Sequence, residues 1–238
     1  MNKIPIFGLF IAFILVLASV TLAIGDIDIT SVDSKIGDPG SQVTFSVIVA
    51  NTQPATTIPS VILTSSDLTF GSNTIIKPTI SSISNLVNGI PQTVNFALTI
   101  PSKPAGTYTG TITAKESGNP TNEDTISYTL TINAKDIIEV QTYTDSNALE
   151  LRVQSDDSKT KTFVLENKGS TTLAISSTIF SFNQDNFKDA DDDLIQLSFT
   201  SDKTSLAPGQ TTIVTLEVNT DQDIDIDTYS GLITITTS

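Results

Sequence analysis

The chain has no cysteine, no histidine and no tryptophan in 238 residues. Without Cys no disulfide can brace the fold, so each domain must rely on its own buried core. Without His and Cys, most routes to general-base, thiolate and zinc chemistry are closed. Positive charge is also scarce: 12 Lys and Arg stand against 26 Asp and Glu, for a net charge of −14. Such a polyanion repels nucleic acid and anionic lipid, so no nucleic-acid partner is expected. The N-glycosylation sequon is missing, because Pro120 spoils the near match at Asn119-Pro120-Thr121.

One apolar stretch stands out. MNKIPIFGLFIAFILVLASVTLAIG opens the chain, with Lys3 as its only charge and an unbroken apolar run from Ile4 to Ile24. A positive start, an apolar middle and small residues at the end (Thr21 and Ala23, or Ala23 and Gly25) describe a secretory signal peptide. The competing reading is an uncleaved anchor, since about 20 apolar residues can span a bilayer. A membrane contact would then run through residues 4–24 alone. Either way Lys3 favours the cytoplasmic side and the remainder is expected to be exported to the cell surface or beyond.

From Asp26 onward apolar residues alternate with period two, which is strand patterning. Val43, Phe45, Val47 and Val49 share a face; so do Val94, Phe96, Leu98 and Ile100, and Ile126, Tyr128, Leu130 and Ile132. Phe163 with Leu165, and Val214, Leu216 and Val218, continue the pattern. Turn residues bound these runs at Asp38-Pro39-Gly40, Asn88-Gly89-Ile90-Pro91, Pro101 to Pro104 and Ala207-Pro208-Gly209. Pro presets φ at the second position of a turn and Gly accepts positive φ at the third. Short alternating strands about 8–12 residues apart indicate a β-sandwich.

One phrase occurs twice. Tyr108, Gly110, Ile112 and Ala114 are repeated by Tyr229, Gly231, Ile233 and Ile235, at an offset of 121 residues. Phe45 and Phe163 repeat at 118. Two similar offsets in the same order indicate a duplicated domain. The expected division is residues 1–25 as signal or anchor, 26–135 as the first sandwich and 136–238 as the second. Asn133-Ala134-Lys135-Asp136 has no Gly or Pro, so a fairly stiff joint is expected. The repeated Tyr is expected to close a corner, its hydroxyl bonded to nearby backbone.

The loop after a Phe-bearing strand (Asn51-Thr52; Asn167-Lys168-Gly169), the turn Leu206-Ala207-Pro208-Gly209-Gln210 and the "GTYxGxIT" phrase come in a recognisable order. That order resembles the immunoglobulin-like repeats of archaeal and bacterial cell-surface proteins, the CARDB-like and NEW3-like sandwiches. The resemblance covers nearly all of residues 26–238. It implies an all-β fold of two tandem immunoglobulin-like sandwiches acting as spacers, adhesion modules or assembly units. The first unit departs from the pattern, carrying Asn88-Gly89-Ile90-Pro91 where Pro-Gly is expected.

The copies differ at their ends. After the Tyr108 strand the first unit adds a strand, Ile126 to Ile132, whereas the second reaches Ser238 with no room for one. Three outcomes are expected in turn: a different strand set, an edge filled by Ile137–Tyr143, or an edge filled by another chain. The alternating stretch Asp26 to Val32 is the candidate donor for self-association into a filament.

Asp185, Asp189, Asp191 and Asp193 form the candidate metal set, for Ca²⁺. Asp189, Asp191 and Asp193 have the 1-3-5 spacing of a Ca²⁺ loop, but Leu194 replaces the required Gly and Thr200 the required Glu, so this is not an EF-hand. Asp221, Asp223, Asp225 and Asp227 put four carboxylates on one side of an extended segment. No pair combines an acid in an apolar pocket with a solvated one, so no enzyme is expected. Sugar stacking would fall to Tyr143 alone, the other Tyr residues reading as inward-facing. The expected role is structural or adhesive, with other surface proteins or copies of itself as partners. The alternative is a ligand or Ca²⁺ module built on the acidic 181–193 loop.

Overall fold

The computed structural model describes residues 27–119, 121–141, 150–188, 191, 193–225 and 227–237. The expected export segment, residues 1–25, lies outside the described residues, as do Tyr143 and Asp189. The described chain is all-β, in two immunoglobulin-like units, and none of its helices is long and apolar enough to cross a membrane.

The first unit contains β1 (Ile27–Val32), β2 (Lys35–Gly37), β3 (Gln42–Asn51), β4 (Thr57–Ser65), β5 (Leu68–Phe70), β6 (Asn73–Ile75), β7 (Ile83–Val87), β8 (Gln92–Thr99), β9 (Gly106–Glu116) and β10 (Glu123–Ile132). One sheet runs β1-β3-β8 and the facing sheet β2-β10-β9-β4-β7, with the β5–β6 ribbon attached to β9. All pairings are antiparallel except β2 with β10. The inward faces are those the alternation predicts. Phe45, Val47 and Val49 from one sheet meet Tyr108, Ile112, Tyr128 and Leu130 from the other, and none of these exceeds 1% exposure. Tyr128 stands edge-on to Phe45 (centroids 5.1 Å apart) and Phe96 (5.9 Å). Burying each such side chain contributes about 1.5–3 kcal/mol, so β10, carrying Tyr128, Leu130 and Ile132, is a large part of this core.

Turn chemistry sets the corners. Gly40, Gly89 and Gly209 have φ of 81°, 72° and 75°, each at the third position of a turn closed by an N–H to a carbonyl three residues back. The Asn-Gly-Ile-Pro stretch therefore makes the same bend as the two Pro-Gly turns.

The segment expected to act as a donor strand is used within its own chain. β1 pairs antiparallel with β3 from Ile27↔Asn51 to Val32↔Val47. Its outer N–H groups are also capped: Ile27 donates to Asn122 Oδ1 (2.9 Å) and Ile29 to Asp124 Oδ2 (2.7 Å). Its Ile27 and Ile29 side chains belong to the first core, so releasing it would cost both packing and hydrogen bonds.

The second unit contains β11 (Ile138–Gln141), β12 (Ser158–Asn167), β13 (Leu173–Ala174), β14 (Phe180–Phe182), β15 (Ile195–Ser201), β16 (Ser205–Leu206), β17 (Thr211–Thr220) and β18 (Ile233–Ile235), with single 3-10 turns at Ser177–Ile179 and Gln184–Phe187. Its main sheet runs β11-β12-β17-β15, and its other face is two ribbons, β13-β16 and β14-β18. The linker segment does fill an edge from within, as β11 on β12. β11 is the counterpart of β1, however, and not of β10.

The joint is tied at many points. Lys168 and Gly169 donate backbone N–H to Ile137 O, Ser170 donates to Lys135 O at 2.8 Å, and Ala105 donates to Ser170 O at 3.0 Å. Ser102 Oγ reaches Lys168 O at 2.8 Å. Lys135 Nζ lies 2.7 Å from Asp38 Oδ2. A Cβ added at Gly169 would meet Lys135 O at 2.2 Å, so only glycine lets the loop and linker approach this closely. These contacts tie the linker to loops of both units, as a stiff joint would require.

Candidate functional site

Two features recur at equivalent places in both units. The first is the tyrosine corner: Tyr108 Oη donates to Pro104 O at 2.9 Å and Tyr229 Oη to Asp225 O at 3.0 Å, each four residues back. Burial raises the Tyr108 hydroxyl above the ordinary phenol range. Burial raises Tyr128 too, outweighing the hydrogen bond it shares with Ser65 at 2.8 Å. These shifts follow from core packing and mark no reactive group.

The second is a buried asparagine that sequence reasoning placed only in a loop motif. Asn51 and Asn167 end β3 and β12 at 2% and 0% exposure. Asn167 Nδ2 donates to Thr171 O (2.7 Å) and Leu206 O (2.8 Å), and its Oδ1 accepts from Gly169 N (2.9 Å). Asn51 repeats this with Thr56 O and Leu86 O, both at 3.1 Å, and Gln53 N at 2.9 Å. A polar residue ending an apolar alternating strand in both copies was the available signal. Such a residue must find partners when buried.

The acidic residues are placed as follows. Asp185 lies in the 3-10 turn Gln184–Phe187 and pairs with Lys188 at 3.4 Å. Lys188 bridges to Leu194, which draws together the ends of the loop carrying Asp191 and Asp193. Among the described residues no three acids converge as metal ligands would. Asp221, Asp223, Asp225 and Asp227 are all exposed. Asp225 and Asp227 share an open groove with Asn186, Lys188 and Tyr229, so the two acidic stretches are neighbours across it.

The units differ most at the strand after the corner. In the first, β9 is paired along its length by β10, from Gly106↔Ile132 to Lys115↔Glu123. In the second, β18 pairs with β14 on one side, and among the described residues no strand pairs with its other side. Thr236 N donates to Ile179 O on the β14 side. By the period of two, the N–H groups of Ile233 and Ile235 point to the opposite, open side. The side chains are correspondingly less buried. Tyr108 and Ile112 are fully buried, whereas Tyr229, Ile233 and Ile235 are half-buried and Leu232 is 77% exposed. The inward-facing reading of Tyr229 is thus met only in part.

No family model and no curated protein matches the chain. Among solved structures it is similar to the secreted serine protease VesC from Vibrio cholerae, at 13% identity and a TM-score of 0.31, over 90% of this chain and 50% of that one. The chain thus spans about half the length of that protein. It is also similar to a chain of the CsuC-CsuE chaperone–tip adhesion subunit pre-assembly complex from the archaic chaperone-usher Csu pili of Acinetobacter baumannii. That match has 9% identity and a TM-score of 0.38, over 87% of this chain and 99% of that one. At this level of likeness neither bears on activity or partner.

Proposed function

We propose that this chain is an exported, non-catalytic surface protein with a structural or adhesive role, working by association through sheet edges. The observation that carries the reading is the outer side of β18, which no strand among the described residues pairs, where the first unit has β10. An open edge presents a row of backbone donors and acceptors, and β-augmentation uses such a row for protein–protein contact. The stretch from Ser230 to Thr237 contains no charged residue and no Pro, the usual blunting devices of an edge. Export rests on the N-terminal sequence, and a joint tied by this many contacts suits a spacer or arm.

The test has two arms, both on the full-length chain expressed with its N-terminal segment. Protease treatment of intact cells should remove it while sparing cytoplasmic markers. Light scattering after size exclusion should show species that grow with concentration, and Ile235→Pro, which deletes an outward N–H, should suppress them. A chain protected in intact cells would overturn the surface role. Monomers at every concentration would leave adhesion to another protein in place of self-assembly.

A further inference from the structure

We propose that the outer side of β18 is an acceptor for one extended strand of a partner polypeptide, with the chemistry of β10, and that Phe187 holds its place until it arrives. This rests on the edge-association reading above and names the partner's chemistry.

The first unit serves as the internal standard. There Gly110 leaves room for an aromatic ring: a Cβ at that position would lie 3.0 Å from Tyr128 Cε1. Tyr128 arrives on β10 directly opposite Gly110, flanked by Leu130 opposite Tyr108 and Ile126 opposite Ile112. In the second unit Gly231 occupies the same register, and it too lies beneath a ring. A Cβ there would fall 2.5 Å from Phe187 Cε2 and Cζ. Phe187 does not come from a strand. It ends the 3-10 turn Gln184–Phe187, is half-buried and stands edge-on to Phe182 at 5.9 Å. One ring thus covers the glycine in each unit, but only β10 also satisfies the backbone beside it. Phe187 fills the aromatic position and leaves the Ile233 and Ile235 N–H groups unpaired by any strand among the described residues.

The register defines the incoming strand. Antiparallel to β18, it places an aromatic residue opposite Gly231, a branched apolar residue two places later opposite Tyr229, and another two places earlier opposite Ile233. Its C-terminal end then passes the exposed Asp223, Asp225 and Asp227. A basic residue just after the apolar run complements these carboxylates, and β10 is itself followed by Lys135. The partner segment is therefore an alternating apolar strand with one central aromatic and a basic C-terminal end. β1 does not fit: it has no aromatic residue and is held within its own unit.

The test appends this strand to its acceptor. The full-length chain is extended after Ser238 by a flexible Gly/Ser linker and a second copy of Glu123–Lys135. A control carries the same extension with its Tyr128 and Leu130 counterparts changed to Asp. Hydrogen exchange is read at Ile233 and Ile235, and melting by calorimetry. The appended strand should slow exchange at both amides by at least about tenfold and raise the second unit's melting midpoint by about 5–10 °C; the control should do neither. Phe187→Ala should lower the midpoint of the unextended chain more than that of the extended one, because the added aromatic takes over Gly231. Unchanged exchange, or equal protection by the control, overturns the acceptor. Equal effects of Phe187→Ala in both backgrounds overturn the placeholder role. Protection that appears in the unextended chain only as its concentration rises would identify a second copy as donor. The surface-role test above is independent of all these outcomes.

Discussion

Replacing Asn167 by Ala tests how far one buried amide holds the second unit together. The side chain is fully buried and satisfies three backbone groups: Thr171 O, Leu206 O and Gly169 N. Truncation leaves all three without their partner in a site that water reaches poorly. A buried unsatisfied polar group costs about 1–3 kcal/mol, and partial relaxation of the loop keeps the sum nearer about 3–5 kcal/mol. For a unit of this size each kcal/mol lowers the midpoint by about 4–8 °C, so a drop of about 12–40 °C is expected. A single domain is stable by only about 5–15 kcal/mol, which places the variant close to unfolding at ambient temperature. Calorimetry on the full-length chain measures the loss, and hydrogen exchange assigns it to residues 158–220 rather than to the first unit. Asn167→Asp refines the reasoning. A carboxylate accepts only, and here it would face two carbonyl oxygens, so its folded pKa rises above the unfolded value of about 3.9. The variant should then come closest to wild type below about pH 4, and its deficit should grow as pH rises through the raised folded value. A loss under about 1 kcal/mol for Asn167→Ala, well below the expectation for three orphaned groups, would refute the account. So would a deficit in Asn167→Asp that is independent of pH.

Three further outcomes are expected. Tyr108→Phe should cost about 1–1.5 kcal/mol, since Pro104 O loses its donor beside a buried ring, and Tyr229→Phe less, because water reaches its half-exposed counterpart; denaturant midpoints of the two variants decide. Gly169→Ala should leave both cores folded by circular dichroism but loosen the joint, seen as a larger spread of inter-unit distances by small-angle scattering, because its Cβ would meet linker backbone at 2.2 Å. Asp38 is held below the ordinary carboxyl range by hydrogen bonds from Lys135 and then Asn133. The lowered folded value means that its contribution is present above the unfolded pKa and lost as pH falls through the folded one. Lys135→Met should return the Asp38 titration, followed by NMR, toward the ordinary range.

The strand content, the inward faces and the duplication could all be read from the chain by itself. Alternation is a local property, and so is the turn chemistry at Gly40, Gly89 and Gly209, where each glycine needs positive φ whatever lies beyond the bend. The corner role of Tyr108 and Tyr229 was legible for the same reason, its acceptor lying only four residues back. Pairing was not legible. Ile27–Val32 and Ile138–Gln141 are both short alternating stretches, and nothing in either names the strand it will join. The tertiary structure decided that each lies against the Phe-bearing strand of its own unit, where apolar residues from distant parts of the chain complete the core. It also decided that Phe187 covers Gly231, a contact across 44 residues that no periodicity encodes. Local geometry follows from neighbours in sequence, whereas an edge stays open or closed according to which distant segments satisfy its backbone and its apolar face.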